Sequence, residues 1–229
     1  MTLYGVEIVR LADKEAAASF VADELVAAAR AGSSIALTGG RSPGRAYELA
    51  AEREPDWSGA TLWWGDERAV PPDDENSNYR LADETLIGLL TGRPQIRRIR
   101  GELGAQAAAD EYDRLLEGVR LDLILLGLGP DGHAASLFPN QPTLDERSRR
   151  AIPAKATLEP FVERVTMTLP VLCSAAEVLY LATGESKAEA VERAFAQPPS
   201  RDAPASLVRS TGGRTRAALD EAAASSLPH

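Results

Sequence analysis

The sequence predicts an α/β fold: an open, mostly parallel, Rossmann-like sheet with helices on both faces. Three observations carry the prediction. Short apolar runs alternate with longer amphipathic stretches along the chain. The best runs, such as residues 123–126 within the strand expected at 121–126, are continuously apolar, as suits strands covered on both faces. Glycine-rich turns stand where strands hand over to the next segment, at residues 39–40 and 127–132.

Taken in order, residues 6–11 form the first strand. Asp13 then caps a helix running to about Ala31, with Phe20, Val21, Leu25 and Ala28 on one stripe and Gly32 ending it. Residues 34–38 are the next strand. Ser42 and Pro43 open a second helix, serine as the cap and proline at the first helical position. Residues 61–64 are a strand, and Asn76-Ser77-Asn78-Tyr79 reads as the cap of a helix over 78–90. A shorter strand at 95–99 precedes a helix at 105–116. Strands at 121–126, 164–168 and 178–182 and a helix at 185–195 complete the pattern. The proline-containing stretch 197–204 reads as a surface loop, with too little chain after it for a second core.

With a domain prior of ~150 residues, 229 residues give one large domain or two small ones, and residues 1–229 are expected to form a single α/β domain. A hydrophobic share of 44 % and a charged share of 26 % argue against disorder. The longest apolar run, 123–128, is far short of the ~20 residues of a membrane span, so no membrane association is expected. The first residues lack a basic, then apolar, secretory start. Cys173 is the one cysteine, which fits a reducing compartment, and a cytoplasmic location is expected. A net charge of −9 argues against nucleic acid as a partner. The four arginines within 93–100 read as a solvated strand edge, and Cys173 as a core residue. One internal histidine and one cysteine 40 positions apart make no ligand cluster, so no metal is expected.

Chemistry concentrates in a few stretches. Thr38-Gly39-Gly40-Arg41-Ser42-Pro43 joins a strand to a helix. Paired glycines turn the backbone tightly, and the helix start adds unpaired N–H donors with a partial positive charge. That describes an anion site or an ordinary tight turn, but not a Walker A loop, since no Gly-Lys-Ser/Thr follows. Gly127-Leu128-Gly129-Pro130-Asp131-Gly132 matches G-x-G-x-x-G in form. Its strand is roughly the fifth, no acid lies at 147–152, and Asp131 would face a pyrophosphate, so dinucleotide binding is not expected. The segment instead presents His133 two residues after Asp131 at a strand's carboxyl end, where open α/β sheets bind ligands. A histidine there can take and return a proton, and the aspartate can fix its tautomer. Asp66-Glu67-Arg68 directly follows an apolar strand and reads as a ligand-edge cluster or a solvated loop start. Arg164 opens a strand. Lys187 lies in the first turn of a helix, where a cation is disfavoured unless it serves an anion.

These segments together resemble the 6-phosphogluconolactonase family over nearly the whole chain. The resemblance rests on Leu37-Thr38-Gly39-Gly40 with Ser42-Pro43, Gly65-Asp66-Glu67-Arg68 with Val70-Pro71-Pro72, and Ser77-Asn78-Tyr79. It continues through residues 126–139, Arg164-Val165-Thr166-Met167-Thr168 and Gly184-Glu185-Ser186-Lys187. It implies a fold shared with glucosamine-6-phosphate deaminases and hydrolysis of 6-phosphoglucono-1,5-lactone in the pentose phosphate pathway, with no cofactor. It further implies His133 as base and then acid, Asp131 orienting it, and Arg68 stabilising charge on the lactone. Asp66 would order Arg68 or a substrate hydroxyl. Gly39, Gly40, Arg41, Ser42, Arg164 and Lys187 would hold the phosphate. Two positions depart from the pattern: Arg41 where the family often has a small hydroxyl residue, and Ala217-Ala218 where an aromatic often precedes Leu219-Asp220. The partner expected is a small sugar phosphate, for a monomer or homodimer. An aminosugar-phosphate deaminase/isomerase and a catalytically silent sugar-phosphate sensor are the alternatives, the latter disfavoured by the lack of a helix-turn-helix at either end.

Overall fold

The computed structural model describes residues 1–40 and 42–228. A short β1 (Thr2–Leu3) pairs antiparallel with β2 (Val6–Leu11). Asp13 caps α1 (Lys14–Arg30) by accepting from Ala16 N at 2.8 Å, as the sequence predicts. There follow β3 (Ser34–Leu37), α2 (Pro43–Arg53), β4 (Thr61–Trp64), β5 (Asp66–Arg68), α3 (Asn78–Thr85), β6 (Gln95–Ile96) and α4 (Ala105–Leu115). The second half supplies β7 (Leu123–Gly127), β8 (Ala151–Ala154), β9 (Arg164–Met167), α5 (Leu169–Ser174), β10 (Glu177–Ala182), α6 (Ala188–Val191) and β11 (Arg214–Asp220).

The main sheet runs β1-β2-β11-β10-β7-β3-β4-β6, parallel throughout except for β1. Successive residues of β7, Leu123 to Leu126, are all buried, so this strand is covered on both faces. The order reverses between β3 and β7: the chain moves outward from β3 to β4 and β6, then returns to β7 and runs the other way to β10 and β11. Such a reversal leaves a crevice at the carboxyl ends of the two strands. Two fully buried tyrosines fix neighbouring strand ends. Tyr47 Oη accepts from Thr38 N at 3.0 Å and donates to Thr38 O at 2.7 Å, and Tyr112 Oη makes the same pair of bonds to Trp64 N and O, each at 3.0 Å. The backbone groups that leave the ladder there are thereby satisfied away from water.

Several expectations need correction. Residues 66–68 are a strand of a separate antiparallel sheet, β5-β9-β8, and not a solvated loop start; Asp66 and Glu67 are buried in it. Arg164 opens β9 in that small sheet. Ser42 stands at the start of α2 but makes no side-chain cap, because its backbone is already helical (φ −81°, ψ −35°), whereas a capping serine needs an extended one. Its hydroxyl lies 3.5 Å from Thr183 Oγ1 instead. The helix expected over 78–90 ends at Thr85 and gives way to a 3₁₀ turn, Ile87–Leu89. The one expected over 185–195 breaks into a 3₁₀ turn (Glu185–Lys187), α6 and a π turn (Glu192–Ala196). The largest omission is β11. The chain after the 197–204 loop inserts between β10 and β2, inside the main sheet.

Candidate active site

The crevice between β3 and β7 holds a cavity of about 280 Å³, bordered by Gly39, Gly40 and Ser42 on one side and Gly127, Gly129 and His133 on the other. Each border is shaped by what glycine lacks. A Cβ on Gly39 would fall 1.7 Å from Asn78 Oδ1, and one on Gly129 would fall 2.0 Å from His133 Nδ1. Gly40 adopts φ +99°, a conformation side chains disfavour. Arg41 lies outside the described residues.

The turn after β7 builds a proton-transfer pair. Asp131 Oδ1 accepts from His133 N at 3.1 Å and lies 2.6 Å from Nδ1 of the ring. A hydrogen on Nδ1 is the assignment that satisfies this contact, and it leaves Nε2 with its lone pair. Burial pushes the Asp131 carboxyl up, but the hydrogen bond from His133 and the attraction of its ring outweigh that and hold it below the usual range. The imidazole packs on Phe138, ring centres 4.8 Å apart.

The small sheet supplies the cations. Arg68 and Arg164 are directly opposite one another on β5 and β9, and both border the cavity. Like charges facing across a strand pair are unfavourable. Arg68 Nη1 donates to Asn76 O at 2.6 Å and Asn78 Oδ1 at 2.7 Å, and Arg164 Nη2 to Pro160 O at 3.2 Å. The Nε of each is buried without a partner, and neither side chain forms an ion pair with a described residue. Burial, then the charge of Arg68, lowers the pKa of Arg164. Its guanidinium also stands 5.9 Å from the Phe138 ring centre.

Lys187, bordering the same cavity, donates from Nζ to Leu128 O at 2.6 Å. The turn that carries it is anchored by Asp220, at the end of β11, whose two oxygens accept from Gly184 N at 2.9 and 3.0 Å. Asp66 accepts from Ser136 Oγ at 2.5 Å and from Asn78 Nδ2, so Asn78 rather than a direct contact connects it to Arg68. Among the described residues, no group of three His, Cys, Asp or Glu side chains is placed to hold a metal ion. Cys173 sits half-buried on α5, its thiol pKa raised chiefly by burial.

An acid–base pair, two guanidinium groups facing one space and a glycine turn at a helix start suit an anionic ligand that develops further negative charge. The family described as glucosamine-6-phosphate isomerases/6-phosphogluconolactonase matches residues 11–217. The chain belongs to this family. A 6-phosphogluconolactonase of Streptomyces coelicolor is 36 % identical, over 94 % of this chain and 92 % of its own. The solved structure of the Trypanosoma brucei 6-phosphogluconolactonase superimposes with a TM-score of 0.86 at 25 % identity, covering 97 % of this chain and 99 % of that one. A monomeric glucosamine-6-phosphate deaminase shares the fold, with a TM-score of 0.85 at 20 % identity over 96 % of this chain and all of the other.

Of the residues singled out in the sequence, Gly39, Gly40, Ser42, Asp66, Arg68, His133, Arg164 and Lys187 all border this one cavity, with Asp131 beside His133. Sequence reasoning missed Asn78, Glu67, Ser136 and Phe138. Asn78 reads as part of a cap, and Glu67 as one charge among three. Ser136 and Phe138 acquire meaning only once the chain after His133 turns back under the site.

Proposed function

We propose that the chain hydrolyses 6-phospho-D-glucono-1,5-lactone to 6-phospho-D-gluconate, the lactone step of the pentose phosphate pathway, and that residues 1–229 act as one catalytic domain. Membership of the family and the similarity to 6-phosphogluconolactonases support the reaction. The observation that carries the mechanism is the Asp131–His133 pair facing the same cavity as the unmatched Arg68 and Arg164.

His133 Nε2 takes a proton from water as the oxygen attacks the lactone carbonyl. Arg68 stabilises the oxyanion that forms. When the tetrahedral intermediate collapses, the bond from the carbonyl carbon to the ring oxygen breaks, and His133 returns its proton to that oxygen. Positioned proton transfer of this kind contributes about 10²–10⁴-fold. The phosphate lies against the Gly39–Gly40 backbone, Ser42, Arg164 and Lys187, with Arg41 as a further candidate. Residues 134–140 after His133 hold no carboxylate, whereas deamination with isomerisation needs more acid–base groups than one histidine, so no ammonia is expected from glucosamine 6-phosphate.

The test is a coupled assay with freshly made lactone, corrected for spontaneous hydrolysis. Wild-type protein should accelerate acid formation, and His133→Ala should cut kcat about 10²-fold or more while keeping product affinity. Unchanged kcat in the variant would remove His133 from the chemistry. A sensor would bind 6-phosphogluconate with no turnover at all.

A further inference from the structure

We infer that Asn78 is a positioning residue for the lactone hydrolysis proposed above, acting through Arg68, with the buried Glu67 as its anchor. An arginine side chain has much rotamer freedom to lose, and a donor helps an oxyanion only where it already points at it. Two acceptors hold the Arg68 guanidinium, and Asn78 Oδ1 is the one that belongs to a side chain. The orientation of that amide is not ambiguous. Arginine only donates, so the oxygen must face Arg68, and the nitrogen then meets acceptors on the other side, Asp66 O at 2.8 Å and Asp66 Oδ1 at 3.4 Å. One side chain thus sets the spacing of the two site residues two positions apart on β5.

The surroundings are built around this amide. Asn78 is 2 % exposed, and Gly39 leaves the space its oxygen occupies. Its backbone is pinned by Glu67, whose Oε1 accepts from Asn78 N and Arg68 N, both at 2.7 Å. Glu67 Oε2 accepts from Tyr79 N at 2.8 Å and Ser77 Oγ at 3.0 Å. Burial raises the Glu67 pKa and these hydrogen bonds lower it, the first winning. A helix cap does not require the Asn78 side chain, since Ser77 Oγ already accepts from Arg80 N.

Asn78→Ala, Arg68→Ala and the double variant are compared in the lactone assay. Asn78→Ala should lower kcat at least about tenfold with product affinity within about threefold, and should cost less than about twofold more in the Arg68→Ala background. A kcat within twofold of wild type, or two losses that multiply, overturns the inference. A purely structural role would lower the folded fraction and leave kcat per folded molecule unchanged. Should Asn78→Ala fail to fold, Asn78→Ser keeps a polar residue in the first helical turn but is too short to reach Arg68, and is read the same way. The nitrogen resonances of the Arg68 guanidinium provide a readout without turnover: distinct Nη signals in wild type should average in the variant, and unchanged signals contradict the inference. A wild-type protein without lactonase activity would overturn the reaction reading, while these resonances still decide the positioning.

Discussion

Arg216 and Arg164 are equally buried, 6 % and 5 % exposed, yet their surroundings differ in kind. Arg216 lies towards the amino ends of the main-sheet strands. Its Nε donates to Glu177 Oε1 at 2.6 Å, its Nη1 to Glu24 Oε1 at 3.0 Å and its Nη2 to Glu24 Oε2, with Phe20 5.2 Å from the guanidinium. Burial pulls its pKa down, and the two carboxylates outweigh it and push it up. At the crevice, Arg164 has one carbonyl partner, an orphaned Nε and another arginine across the strand pair. Arg216 is enclosed by carboxylates, whereas Arg164 forms no ion pair with a described residue and borders the cavity.

The sharpest way to break this contrast is to remove each arginine in turn. Arg216→Ala leaves Glu24 and Glu177 with the exposed Arg214 as their remaining cation and should destabilise the protein by about 2 kcal/mol, read from urea midpoints, while kcat per folded molecule stays unchanged. A loss below about 1 kcal/mol would make that cluster a surface ion pair in effect. Arg164→Met should do the opposite. It removes a buried unsatisfied donor and a like charge, so ligand-free stability should hold or rise by about 1 kcal/mol. A loss like that of Arg216 would mean the arginine serves the fold.

The same contrast explains what the sequence reveals. Strands such as β3, β4 and β7 are legible because both faces are buried and the run is apolar. β11 is not, because Arg214 and Arg216 break its pattern, and the buried Arg216 becomes compatible with the sheet only through Glu24 and Glu177, 192 and 39 residues away. β5 hides for a related reason: Asp66-Glu67-Arg68 looks solvated until Ser136, Asn78 and the start of α3 give each side chain a hydrogen-bond partner. His133, Asp131 and the glycine turns are legible because their chemistry is local in the chain. Asn78 is not, since its role depends on Gly39 leaving room 39 positions away.

A smaller effect separates Asp131 from the arginines. Its folded pKa lies below the unfolded value of ~3.9, so its contribution to stability is present above about pH 4 and is lost as pH falls through the folded pKa. The stability gap between wild type and Asp131→Asn should narrow as pH falls below about 4. A gap that widened in acid would reverse the sign assigned to this carboxylate.

That Arg164 awaits the substrate's phosphate can be read from the ratio of kcat/KM for 6-phosphogluconolactone over unphosphorylated gluconolactone. In wild type the ratio should be well above about tenfold, falling by at least about tenfold in Arg164→Met through loss of one charge-assisted contact, a change of ~1.4 kcal/mol. Equal turnover of the two lactones by the wild-type protein, or a ratio untouched by Arg164→Met, would contradict it.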